Sequence, residues 1–205
     1  SEMGVFAEKC VLITGSTRGV GRATAERFLE EGASVIVHGR SKAAAEKVAR
    51  ELGSHATATY GDLLDRASIA PIARAVGDVD VLVNCAGIFE ERSIAEADEA
   101  HWDRIMQVNL TAAWALSRAL MDGLRRRKGV IVNVSSDSGL LGYAGSTVYC
   151  ASKGALIGLT RAVAVELAPD VRAIAVCPGP IDTDMMRQNA EPGQWEAFPL
   201  LKRVA

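Results

Sequence analysis

Short runs of aliphatic and β-branched residues recur along this chain, separated by longer segments of helical period. That alternation leaves few folds open. The runs are Cys10-Val11-Leu12-Ile13, Ser34-Val35-Ile36-Val37, Val79-Asp80-Val81-Leu82-Val83, Val130-Ile131-Val132-Asn133-Val134 and Ala173-Ile174-Ala175-Val176. Nearly continuous apolar runs of this length read as strands buried on both faces, hence parallel ones. A weaker sixth strand lies near residues 55–60. Segments 20–31, 41–52, 65–76, 99–127 and 147–168 carry helical spacing between them. Strand, helix, strand, repeated, predicts an α/β fold: a doubly wound parallel sheet in three αβα layers with right-handed crossovers. No linker, repeat or low-complexity tract interrupts the chain before residue 180, and 205 residues suit one domain.

The first strand runs into Thr14-Gly15-Ser16-Thr17-Arg18-Gly19-Val20-Gly21 and then a helix. Open α/β sheets bind dinucleotides at this place, where a glycine-rich turn feeds a helix N-terminus at a strand's carboxyl end. Gly15 permits a sharp turn. Gly19 and Gly21 let backbone approach a pyrophosphate whose charge the helix dipole favours. A purely structural turn would use the same glycines, but the strand before and the helix after favour a dinucleotide-binding Rossmann fold.

With its Gly-x-x-x-Gly-x-Gly spacing, the chain resembles the short-chain dehydrogenase/reductase family over residues 7–186, with a 3-oxoacyl-thioester reductase as the most familiar analogue. Further motifs in family order are Asp62-Leu63, Asn84-Cys85-Ala86-Gly87, Asn109, Ser136, Tyr149-x-x-x-Lys153, and Pro178-Gly179 followed by Thr183. Cys85 departs from the pattern, which has a second Asn there. The resemblance implies a cofactor-binding set of Gly15, Ser16, Thr17, Arg18, Gly19, Val20, Gly21, Arg40, Asp62, Leu63, Asn84, Ala86, Gly87, Tyr149, Lys153, Pro178, Gly179, Ile181 and Thr183. In it Asp62 sits at the adenine, 84–87 line the ribose side and Thr183 lies near the carboxamide. It also implies a further helix and a last strand beyond residues 199–205, so that the given chain ends before the fold does. Residues 184–205 are then expected to form a substrate loop within the single domain 1–205.

Four residues form the expected catalytic group: Asn109, Ser136, Tyr149 and Lys153. Tyr149 and Lys153, four apart, share one helix face. A phenol of pKa near 10 is a poor base at neutral pH, and a neighbouring ammonium favours its phenolate. Tyr149 can then give a proton to a carbonyl oxygen that receives hydride, or take one from an alcohol. Ser136 can hold the same oxygen with a neutral hydroxyl. The resemblance adds that Lys153 contacts the nicotinamide ribose and that Asn109 holds a water in a proton relay. Asn109 has an alternative reading as a buried amide that satisfies backbone. Leu140, Tyr143, Met185 and Met186 are candidates for facing substrate, with core packing as their alternative.

Cofactor choice turns on the end of the second strand. NAD-specific sites place an acidic residue there for the ribose 2′-hydroxyl. This chain has Gly39 with Arg40 beside it, and Arg18 inside the glycine loop. Two guanidiniums suit a 2′-phosphate, so NADP(H) is the expected cofactor, with NAD(H) as the alternative. The chemistry expected is hydride transfer between NADP(H) and a carbonyl or secondary alcohol of a small molecule. A non-catalytic NADP-binding regulator on the same fold is the competing reading, disfavoured by the intact Ser136, Tyr149 and Lys153.

Charge and composition narrow the partners. Lys and Arg number 23 against 25 Asp and Glu, a net charge of −2, which lacks the footprint of a nucleic-acid binder or of attachment to anionic membrane. No stretch is expected to reach the ~20 apolar residues of a membrane span. Cys10, Cys85, Cys150 and Cys177 show no metal-ligand spacing and read as reduced thiols of a cytoplasmic protein, and no metal site is expected. Arg125-Arg126-Arg127-Lys128 reads as a solvated helix end. Residues 151–168 carry charge only at Lys153, Arg161 and Glu166, and 108–121 only at Arg118. Helices without a polar stripe are expected to meet another surface, which predicts a homo-oligomer, a dimer or tetramer. Cover by the chain's own C-terminal segment is the alternative.

Overall fold

The computed structural model describes residues 4–189. Its strands are β1 (Cys10–Ile13), β2 (Ser34–Gly39), β3 (Ala56–Tyr60), β4 (Val81–Asn84), β5 (Val130–Val134) and β6 (Arg172–Val176). They form one sheet in the order β3-β2-β1-β4-β5-β6, every pair parallel. The helices are α1 (Gly19–Glu30), α2 (Lys42–Leu52), α3 (Ile69–Val76), α4 (Glu99–Met106), α5 (Ala112–Arg127), α6 (Thr147–Leu167) and α7 (Asp184–Asn189). This is the expected Rossmann-type doubly wound sheet. Its strand order reverses between β1 and β4, and a crevice opens there at the carboxyl ends.

Period-two alternation splits the core into two layers. Val11, Ile13, Val35, Val37, Val81 and Val83 point to one face, where Ala25 of α1 and Val48 and Ala49 of α2 cover them. Leu12, Leu82 and Ile131 point to the other, against Ile69 and Ile72 of α3 and Leu116, Leu120 and Leu124 of α5. Helix ends are set locally. The Ser41 side chain caps α2 by accepting from the Ala44 N–H, and Gly53 closes it at φ 102°.

Three expectations change. The single helix expected over 99–127 is two helices joined by a π turn at Gln107–Thr111. The break lets two buried polar side chains reach partners: Gln107 accepts from Arg66 and donates to the Leu63 carbonyl, and Asn109 grips Ile88. Asn109 therefore sits in that turn and not in regular helix. Strand β4 begins at Val81, later than the expected Val79, and the Asp80 carboxylate before it accepts from the Cys10 N–H and from Lys9. Finally, α6 is long and apolar enough to cross a membrane by length and composition, contrary to the sequence expectation. In the fold its Val148, Lys153, Leu156, Ile157 and Thr160 are buried within the protein, while Val165 on its outer side is exposed.

At the sheet's β6 edge, Ile174 and Val176 remain 52% and 47% exposed. Of the expected substrate loop 184–205, only α7 lies within the described residues. The helix and strand expected beyond it lie outside them.

Candidate active site

The glycine loop and the segment after β4 meet across the β1–β4 crevice. Gly15 has φ +64°, and a Cβ there would stand 2.8 Å from the Ala86 Cα. A Cβ on Gly21 would stand 2.4 Å from the Gly15 carbonyl oxygen, so α1 packs its first turn directly on the loop. The Thr14 hydroxyl accepts from the N–H groups of both Cys85 and Ala86, at 3.0 Å each, and fixes the two loops to one another. Arg18 occupies the N-cap of α1 without a side-chain capping bond, so the first-turn N–H groups remain available to an anion. These close approaches and free donors fit a dinucleotide pyrophosphate.

The glycine loop is braced by a residue that the sequence motifs did not single out. His38 is 2% exposed. Its Nδ1 accepts from the Gly15 N–H at 3.2 Å, and its Nε2 pairs with the Gly61 carbonyl at 3.1 Å. The neutral Nε2–H tautomer satisfies both, and burial lowers its pKa below the ordinary value. Ser16 completes the tie by accepting from the His38 N–H and donating to the Ile13 carbonyl. The visible signal was a histidine beside the strand-end glycine. Gly39 is buried, and a Cβ on it would meet the Thr17 methyl at 2.6 Å. Arg18, Arg40 and Asp62 are exposed at this end of the sheet.

At the carboxyl ends of β5 and in α6, Ser136, Tyr149 and Lys153 come together. Lys153 is 4% exposed. Its Nζ donates to the Val134 carbonyl at 2.9 Å and lies 5.6 Å from the Tyr149 ring centroid. Burial pushes its pKa down to about 8, opposed by the neighbouring thiols of Cys85 and Cys177. Tyr149 packs edge-on against Phe89, ring centroids 4.9 Å apart. Burial raises its pKa, a hydrogen bond with Ser136 lowers it, and the Asp137 charge and the Cys150 thiol raise it again. Burial thus pushes Tyr149 in the direction opposite to the one expected from Lys153.

Lys153 owes its position to packing of α6 against the strand ends. The Ser135 hydroxyl donates to the Lys153 carbonyl, and Gly139 presses on it so closely that a Cβ would stand 2.8 Å from the Lys153 carbonyl carbon. Asn109 joins the cluster from the π turn. Its Oδ1 accepts from the Ile88 N–H, and its Nδ2 donates to the Ile88 carbonyl and to the Ser152 hydroxyl. Those bonds fit its alternative reading as a buried amide that satisfies backbone.

Two predicted cofactor residues present no side chain to the crevice. Asn84 is buried and donates inward to Asn133 at 2.8 Å, which in turn donates to Thr160. Leu63 lies in the core. Only their backbone can line a cofactor. Thr183 lies beside Gly19, the hypothetical Cβ of which would be 3.7 Å from the threonine methyl. Pro178, Ile181, Met185 and Met186 are half-buried, while Leu140 and Tyr143 are exposed. A cleft of about 770 Å³ leaves Gly19 and Thr183 along the outer side of α1 to Val5 and Phe6, and none of the catalytic group lines it.

Residues 9–194 match the family model of the short chain dehydrogenases. The chain is 40% identical over 187 residues to a 3-oxoacyl-[acyl-carrier-protein] reductase of Aquifex aeolicus, an alignment covering 86% of this chain and 75% of that one. Among solved structures, it resembles a 3-ketoacyl-(acyl-carrier-protein) reductase from Brucella melitensis complexed with NADH, with a TM-score of 0.84, 32% identity, and 89% of this chain and 80% of that one covered. A gluconate 5-dehydrogenase from Burkholderia cenocepacia in complex with NADP and tartrate gives a TM-score of 0.85 at 28% identity, covering 89% and 75%.

Proposed function

The chain belongs to the short chain dehydrogenases, as an NAD(P)-dependent oxidoreductase of carbonyl and alcohol groups, and we propose that it is an NADP(H)-preferring carbonyl reductase with Tyr149 as its proton donor. One observation carries the reading: Tyr149, whose pKa burial raises, lies with Ser136 and Lys153 at the carboxyl end of the sheet beside the glycine loop. Hydride is supplied by the nicotinamide when it is bound. Ser136 and Tyr149 hold the substrate oxygen, and Tyr149 gives it a proton as the alkoxide develops. Lys153, with its Nζ 5.6 Å from the Tyr149 ring centroid, would steady the phenolate and hold the nicotinamide ribose. Asn109 fixes the 88 segment against α6 and would hold the water that links Lys153 to solvent as a proton relay.

NADP(H) is favoured by Arg18 and Arg40, both exposed where a 2′-phosphate would lie, and by the absence of a carboxylate at Gly39. A 3-oxoacyl thioester is the substrate class supported by the reductase relatives. The same reading extends to a cytoplasmic homotetramer formed through α5 and α6, where Trp114 and Val165 are 46% and 81% exposed. Light scattering of the purified protein measures that assembly. For the chemistry, NADPH oxidation is followed with ethyl 3-oxobutanoate and a panel of sugar and quinone carbonyls. Tyr149→Phe is expected to abolish turnover while NADPH still binds, and unchanged turnover would refute the mechanism.

A further inference from the structure

Beside the catalytic serine stands a carboxylate that the proposed mechanism does not use. Asp137 Oδ1 accepts from the Ser136 hydroxyl at 3.0 Å and, more weakly, from that of Ser138 at 3.5 Å. Its Oδ2 accepts from the Tyr143 phenol at 2.9 Å. Its own N–H donates to the Pro178 carbonyl, and its carbonyl accepts from the N–H groups of Leu140 and Leu141. The side chain also faces Gly179, where a Cβ would stand 3.7 Å from Oδ2. It therefore sits between the serine loop and the Pro178-Gly179 turn, at the mouth of the reaction centre. Among the described residues no Lys, Arg or His pairs with it.

Hydrogen-bond chemistry fixes directions here. An ionised carboxylate only accepts, so the single Ser136 proton points at Asp137. The Ser136 oxygen then accepts from the Ser138 N–H at 3.1 Å. In this arrangement the Ser136 proton is committed to Asp137 and not free for a substrate carbonyl.

We propose that Asp137 is a positioning residue of this reaction centre: it parks the Ser136 hydroxyl until a substrate oxygen draws it away, and its uncompensated charge opposes the Tyr149 phenolate, so that the site works as a proton donor, toward carbonyl reduction, to higher pH than it otherwise would. The inference rests on the reading of Tyr149 as proton donor. Groups facing Tyr149 are Lys153 and Cys150 from α6, Phe89 from the segment after β4, and Ser136 and Asp137 from the turn after β5. Lys153 in turn faces Cys85 and Cys177. Asp137 is the carboxylate among these described groups, and its charge is among the influences that raise the Tyr149 pKa.

The test is the pH profile of kcat/KM in both directions, with NADPH and ethyl 3-oxobutanoate and with NADP and ethyl 3-hydroxybutyrate. Asp137→Asn keeps the size and an acceptor but removes the charge. It is expected to move the limb assigned to Tyr149 down by about 0.5–1 pH unit, raising alcohol oxidation near pH 7 several-fold, with the KM for NADP unchanged. Tyr143→Phe removes a donor and leaves the charge, so its limb is expected at or above the wild-type position. An unmoved limb in Asp137→Asn overturns the inference, as does an equal downward move in Tyr143→Phe, which would trace the effect to loop packing. Tyr149→Phe separates the two levels. Activity that survives it overturns the underlying reading, whereas a dead Tyr149→Phe with an unmoved Asp137→Asn limb overturns this inference alone.

Discussion

Replacing His38 by Phe keeps a ring of similar volume in a site that is 2% exposed, and deletes both of its hydrogen bonds. The Gly15 N–H and the Gly61 carbonyl are each left without the imidazole. Leaving a buried donor or acceptor unpaired costs about 1–3 kcal/mol, so the pair amounts to about 2–6 kcal/mol. For a domain of this size about 2–4 °C of Tm accompanies each kcal/mol, which predicts a fall of roughly 5–25 °C. His38→Asn places an amide oxygen near the former Nδ1 and is expected to lose about half as much. Because the same bond holds Gly15 against the crevice, NADPH affinity should fall with the Tm, while kcat at saturating NADPH is largely kept. There is a pH signature as well. The native pKa of His38 is depressed by burial, so its contribution to stability is complete above the unfolded value of 6.5 and is lost as pH falls from there through the lower native pKa. A protonated ring would set an N–H against the Gly15 N–H. Thermal unfolding from pH 5 to 8, with NADPH titration by fluorescence, measures all of this. A Phe variant that melts within about 1 °C of wild type and keeps the wild-type slope below pH 6.5 refutes the reasoning.

Two further outcomes follow from close contacts. Gly39→Asp alone should impair both cofactors, since its Cβ would lie 2.6 Å from the Thr17 methyl. Adding Thr17→Ala opens that space and should turn preference toward NADH, and a single Gly39→Asp protein with the same NADH affinity as the double variant would disprove the coupling. Asn109→Ala removes three hydrogen bonds to Ile88 and Ser152 and should cost about 2–4 kcal/mol in urea unfolding, with a lower kcat; a loss under about 1 kcal/mol counts against it.

The architecture was legible because parallel strands covered on both faces must be apolar throughout, and glycines must stand where backbones meet. The runs around Leu12, Val35, Leu82 and Ile131 needed no structure to be read as strands, nor did Gly15 and Gly21 as a loop pressed against a helix. The catalytic types and their order were legible for a similar reason, since a tyrosine and a lysine four apart share a helix face wherever the helix packs. What stayed hidden were contacts between segments distant in the chain. His38 spans Gly15 and Gly61, Asn109 spans Ile88 and Ser152, and no local period records either. The π turn at Gln107–Thr111 was invisible for the same cause: it exists to aim Gln107 and Asn109 at partners that only the fold supplies.

The sign of the Tyr149 shift marks the boundary. By itself the sequence determined that a phenol, an ammonium and a hydroxyl would meet at a strand end beside a phosphate loop. It also determined that no acidic side chain stands at Gly39. Only the tertiary structure decided how deeply that phenol is buried, which carbonyl takes the lysine, and where the Asp137 charge sits. Residue identity and spacing fix which groups can meet, but desolvation and hydrogen-bond direction depend on the whole of the packing around them.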